Sequence, residues 1–148
     1  MPHILRITNE QRHLIDPAWL ARAEAVHREL RPQLDADYSG QMQGIFDDGG
    51  EMVVAVDGEN VLGVAVYRVY RDTFSGTKCY VDDLVTTSSQ RSQGVGKLLL
   101  DWLQQEATRR GAVNFMLDSG THRVDAHRFY HREGLVIASF NFRKPLNT

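Results

Sequence analysis

Only one cysteine, Cys79, occurs in 148 residues, so no disulfide can form within the chain and a reducing compartment is expected. No apolar run approaches the roughly 20 residues that cross a bilayer, which argues against a membrane partner. The opening MPHILRITNE carries charge early and has no apolar core of a secretory signal, so a cytoplasmic location is expected. Charge of one sign is lacking too. The 17 Lys and Arg nearly balance 19 Asp and Glu, and a net charge of −2 offers no basic field for nucleic acid. Repeats, low-complexity tracts and linker-like stretches are absent, so one domain over residues 1–148 is expected. With 42% apolar and 24% charged residues, that domain can build a core without disulfide staples.

What is present reads as alternating strands and helices. HILRIT (His3 to Thr8) alternates weakly, as a first strand does. In DPAWLARAEAVHRELRP, Asp16 is placed to cap a helix that has Pro17 at its first position and Pro32 beyond its end. SGQMQGIFDDGG suits a second short helix stopped by Gly49 and Gly50. EMVVAVDGENVLGVAVYRVY reads as two strands joined where Asp57-Gly58 supplies positive φ, and Lys78 to Thr86 as another. The run from Gly94 to Arg110 carries Leu98, Leu99, Trp102, Leu103 and Ala107 on one helical stripe, with Gly111 as its stop. AVNFMLD (Ala112 to Asp118) reads as a buried strand, DAHRFYHREG as a short helix, and LVIASFNF as a last strand. This order predicts a mixed α+β layer fold.

The stretch QRSQGVGKLLL places Gly94 and Gly96 where the longest helix begins, although glycine weakens a helix there. Unpaired N–H groups and a partial positive charge at a helix start form an anion site, and Arg91 and Lys97 would add charge. A tight strand-to-helix turn without a ligand explains the glycines equally well. The P-loop pattern fails, because Leu98 follows Lys97, and the dinucleotide pattern fails for want of a third glycine.

RSQGVGKLL (Arg91 to Leu99) resembles the Gln/Arg-x-x-Gly-x-Gly/Ala signature of the GCN5-related N-acetyltransferases, the GNAT family. It follows VDDLVT and opens a long helix, as in that family, and AHRFYHREG then matches Ala-x-x-Phe-Tyr-x-x-x-Gly at Ala126, Phe129, Tyr130 and Gly134. The resemblance covers roughly Met52 to Phe142. Three places depart from it: Ser88 and Ser92 stand where Pro and Gly are usual, and Arg123 stands near a usual Asn.

The resemblance implies a central twisted, mostly antiparallel sheet flanked by helices. A splayed strand pair, ending near Thr86 and Asp118, would bind acetyl-CoA as co-substrate. It implies that the acyltransferase hands an acetyl group directly to a primary amine, with no metal, and it is compatible with a homodimer. Backbone amides of Arg91, Ser92, Gln93, Gly94, Val95, Gly96 and Lys97 would cradle the pyrophosphate. Leu84, Val85 and Thr86 would pair with the pantetheine arm, and an N–H there would polarise the thioester carbonyl. Tyr130 stands where the family places the general acid for the leaving thiolate; packing beside Phe129 is its other reading. Asp82 and Asp83 are candidate bases on opposite strand faces, with position favouring Asp83. Asp47, Asp48 and Glu51 read as a solvated turn or as negative potential for a cationic acceptor. His122, His127 and His131, with Asp118 and Asp125, invite a metal reading, but the helix already matches the motif without one. Cys79 reads as a small packed residue, and Trp19 and Trp102 as core. The rival from another class is an acyl-CoA-binding regulatory module without catalysis.

Overall fold

Turn chemistry accounts for the central hairpin. Strands β2 (Glu51–Asp57) and β3 (Asn60–Asp72) pair antiparallel around a turn that holds Gly58 at φ +60°. β1 (His3–Arg6) adds to the far side of β2 and β4 (Gly76–Thr86) to that of β3, both antiparallel. β5 (Asn114–Leu117) completes a sheet in the order β1-β2-β3-β4-β5, with one parallel pair. A computed structural model describes residues 1–90 and 93–147 of the chain.

Capping sets the helix starts. α1 (Pro17–Leu30) begins as read, because Asp16 Oδ1 accepts the Trp19 N–H at 3.1 Å. α2 (Tyr38–Asp47) is capped by Asp37, which accepts the Gly40 N–H at 3.0 Å. α3 (Val95–Arg109) and α4 (Val124–Arg132) end at Gly111 and Gly134, whose φ of +83° and +92° suit glycine. The α+β class and the flanked, mostly antiparallel sheet are those expected.

Two compact units divide the chain, Met1–Met116 and Leu117–Thr148. In the first, Met52, Val54, Val56, Val64, Val66 and Val85 share a core with Leu20, Ala23 and Val26 of α1 and Met42 and Phe46 of α2. α3 buries Val95, Leu99, Leu100, Leu103 and Ala107, each large aliphatic contributing about 1.5–3 kcal/mol. Its stripe is shifted from the one read in the sequence: Leu100 and Glu106 are buried, whereas Leu98 and Trp102 are half-buried.

The second unit is built on α4. Its buried Tyr130 lies against Phe129, with ring centroids 5.5 Å apart. The last strand read in LVIASFNF is a correction: residues 135–147 carry no regular secondary structure. Val136, Ile137, Phe140 and Phe142 are exposed. A strand-prone apolar stretch forms a strand only where a neighbouring edge takes up its N–H and C=O groups. Among the described residues none does. β5 is likewise shorter than the expected Ala112 to Asp118, and half-buried.

Candidate active site

The mouth of α3 has two glycines with different reasons. Gly94 is the N-cap at φ +83°, a left-handed conformation costing an L side chain about 1–2 kcal/mol. A tight turn therefore explains Gly94. Gly96 lies within the first helical turn, where glycine costs about 1 kcal/mol against alanine and no left-handed backbone requires it. No side chain caps this end among the described residues. Gln93, Gly94 and Lys97 are exposed and Gly96 half-buried, while Val95 points into the core. Arg91 and Ser92, expected to lend amides here, lie outside the described residues.

Position 63 brings the helix mouth to the end of β4, and the sequence reading missed it. A Cβ on Gly63 would stand 2.7 Å from Leu99 Cδ1 and 3.1 Å from both Val95 Cγ1 and the Val85 carbonyl oxygen. Without that side chain, the first turns of α3 settle directly on β3 and β4. Glu29 of α1 was missed as well. Its carboxylate accepts the Thr87 hydroxyl at 3.1 Å and the Ser88 N–H at 2.9 Å, tying down the turn after β4.

Leu84 and Val85 are buried and Thr86 half-buried at that strand end. Just before them β4 bulges: Asp83 lies opposite Val66, but Val81 lies opposite Tyr67, which leaves Asp82 as the extra residue. Asp83, the favoured candidate base, has both carboxylate oxygens occupied. Oδ1 accepts Arg31 Nε–H at 2.8 Å, and Oδ2 lies 2.7 Å from His27 Nε2. Burial opposes its ionisation, but His27 and Arg31 outweigh burial and hold Asp83 below the usual carboxylate range. Asp82 accepts Arg68 Nε–H at 2.9 Å. Neither His27 nor Arg31 carried a motif; His27 lies in the last turn of α1, and Arg31, four residues on, is its C-cap.

In the second unit, burial raises the pKa of Tyr130, against an opposing pull from Arg123, so the phenol keeps its proton at neutral pH. Arg123 thus faces the tyrosine from the position where the family often has Asn. His127 Nε2 lies 2.8 Å from the Gly120 carbonyl, and His131 Nδ1 3.3 Å from that of Leu135. Among the described residues no three His, Cys, Asp or Glu gather to hold a metal.

The remaining candidates sort by burial. Cys79 is packed in the core, where burial pushes its thiol up to about 12. Trp102 stacks edge-on to Tyr67 with Arg6 over its ring, and Trp19 packs against the core under Arg22. Asp47 and Asp48 are exposed, as a solvated turn requires. Glu51 is not: it is 1% exposed and accepts Arg110 Nη1–H at 2.9 Å. No helix among the described residues is long and apolar enough to cross a membrane.

Comparison with known proteins identifies the family. Residues 11–135 match the Acetyltransferase (GNAT) family. An uncharacterized N-acetyltransferase of Bacillus subtilis is 32% identical over 149 residues, covering 99% of this chain and 100% of that one. The aminoalkylphosphonate N-acetyltransferase of Salmonella typhimurium is 41% identical over 66 residues, 45% of this chain and 43% of its own. AAC(6')-Iy, solved with the bisubstrate analog CoA-S-monomethyl-acetylneamine, superposes with a TM-score of 0.80 at 16% identity, over 98% of this chain and 99% of its own. That last likeness speaks to the fold. A family match over most of the chain and a full-length relative at this identity decide the matter: the chain belongs to the GNAT family and is an N-acetyltransferase.

Proposed function

We propose that the protein transfers the acetyl group of acetyl-CoA directly to a primary amine of a small molecule, peptide or protein, in the cytoplasm. One observation carries the reading: α3 opens without a side-chain cap among the described residues, on a helical glycine at 96, directly over the end of β4. Exposed N–H groups and the positive end of a 15-residue helix suit a pyrophosphate. The amides of Gln93 to Lys97, with Arg91 and Ser92, are assigned to it. Leu84 to Thr86 are assigned to the pantetheine arm and the thioester carbonyl. Two named relatives support the chemistry: one acetylates aminoalkylphosphonates by its name, and another was solved with a CoA conjugate.

Acetyl-CoA supplies an activated acyl group, and the residues supply position and protons. The acceptor arrives as an ammonium and first gives one proton to solvent water. Its nitrogen then bonds to the acetyl carbon, the C–S bond breaks, and the Tyr130 hydroxyl gives its proton to sulfur; the surplus proton on the new amide nitrogen leaves and restores the Tyr130 phenol. A thiol with pKa near 8.5 leaves poorly as a bare anion at neutral pH, so this proton matters. Asp83 receives no base role, since accepting the ammonium proton means surrendering its bonds to Arg31 and His27.

Free-thiol release from acetyl-CoA across a panel of primary amines tests the reading. Tyr130→Phe is expected to lower turnover by about 10²- to 10⁴-fold while the acetyl-CoA dissociation constant stays within about twofold. Equal turnover removes Tyr130 as the acid. Failure of coenzyme A to bind the wild-type protein removes the whole proposal.

A further inference from the structure

We infer that His27 and Arg31 are positioning residues for acetyl transfer, pinning the bulge of β4 so that the peptide groups of Leu84–Thr86 face the thioester; this rests on the reading above. A bulge interrupts the ladder and leaves its extra residue unpaired, so the direction of the strand beyond it needs another constraint. His27 in the last turn of α1 and Arg31 at its C-cap supply that constraint on both bulge residues. Arg31 Nη2 donates to the Asp82 carbonyl at 3.1 Å, and its Nε donates to Asp83 Oδ1 at 2.8 Å. His27 Nε2 lies 2.7 Å from Asp83 Oδ2, and an ionised carboxylate only accepts, so this nitrogen carries the proton. The other ring nitrogen stands 2.8 Å from the Tyr38 hydroxyl.

Two members of this polar set are fully buried, while Asp83 and Arg31 are half-buried. His27 is 1% exposed and Tyr38 3%. Burying a carboxylate, an imidazole and a phenol there is costlier than packing aliphatic side chains of the same volume, so stability alone is a poor reason for it. A proton relay is a poor reason too, because the chain of bonds ends at the buried Tyr38. Directional anchoring remains. Fork-shaped and planar donors from the last turn and the C-cap of one helix fix both position and tilt of the bulge, which a greasy contact does not.

The test uses His27→Leu, Arg31→Lys and His27→Gln, the last retaining a donor toward Asp83. Without any ligand, amide hydrogen exchange at Leu84–Thr86 should quicken about 10-fold or more in the first two variants. With substrates, kcat should fall by about 10²-fold while the KM for acetyl-CoA moves less than about threefold. In isotope-edited infrared spectra, the carbonyl band of bound acetyl-CoA should lose its shift to low frequency. His27→Gln should recover most of each effect. Should His27→Leu fail to fold, Arg31→Lys alone decides. Wild-type exchange and kcat in Arg31→Lys and His27→Leu would overturn the inference, as would an equal loss in kcat and acetyl-CoA affinity. A wild-type protein that binds no coenzyme A overturns the transfer reading instead, while the exchange measurement still reports on the pin.

Discussion

The two ends of α3 are built on opposite terms. At the C-terminal end nearly every charge is answered. Glu106 accepts from Arg6 Nη2 at 2.7 Å and from Arg109, which also pairs with Glu10. Arg110 reaches Glu51 on β2, and the Tyr67 hydroxyl lies 3.5 Å from the same carboxylate. Burial opposes the charge on Glu106, yet Arg109 and Arg6 prevail and draw its pKa down to about 2. For Glu51 burial prevails over Arg110, and its pKa is raised. At the N-terminal end no side chain among the described residues caps the backbone, Lys97 is exposed beside Asp101, and glycines hold side chains away. Donors already engaged cannot receive a phosphate, so a helix proposed to bind one must be left unsaturated at that end. One end fastens β1 and β2 to the helix; the other is kept open.

The largest break in that contrast should come from Arg110→Met. It leaves Glu51, with a side chain 2% exposed, as an uncompensated buried carboxylate. A loss of about 3–5 kcal/mol in unfolding free energy at pH 7 is expected by denaturant titration, with coenzyme A affinity of the folded fraction unchanged. The loss should shrink toward pH 5. An isolated Glu51 has its folded pKa raised further above the unfolded value, the native state then binds more protons, and stability falls as pH rises through that window. A variant equally stable at both pH values would show that Arg110 does not neutralise Glu51.

At the open end, Gly94→Ala should destabilise by about 1–2 kcal/mol, because φ +83° disfavours an L side chain, and should weaken coenzyme A binding as the cap reorients. Binding that survives intact would place the pyrophosphate elsewhere. Lys97→Gln should do least. Its exposed pair with Asp101 is worth under about 1 kcal/mol, so Tm should barely move. Calorimetry should still detect a coenzyme A affinity lowered by a few-fold and less sensitive to salt. A Tm drop matching that of Arg110→Met would erase the distinction between the ends.

Legibility followed the range of each signal. Asp16-Pro17, Asp57-Gly58 and Gly111 act within a few residues, and each helix or turn formed where they predict. LVIASFNF is rich in apolar, strand-prone residues, but a strand exists only through a neighbour, and composition names none. Glu51 follows a polar turn in the chain and still ends up buried, because Arg110 is 59 residues away. Gly63 carries no motif; its reason is the flank of Leu99 pressing from another element.

By itself the sequence determined the helices and the central strands, the family and the glycine-bearing helix start, since capping, positive φ and motif spacing are local properties of the covalent chain. Tertiary structure alone decided that Asp83 is clamped by α1, that Glu51 is an inner ion-pair partner, and that α3 closes on the end of β4. Those outcomes depend on which distant groups share a desolvated space, where an unanswered charge or one surplus carbon atom is expensive.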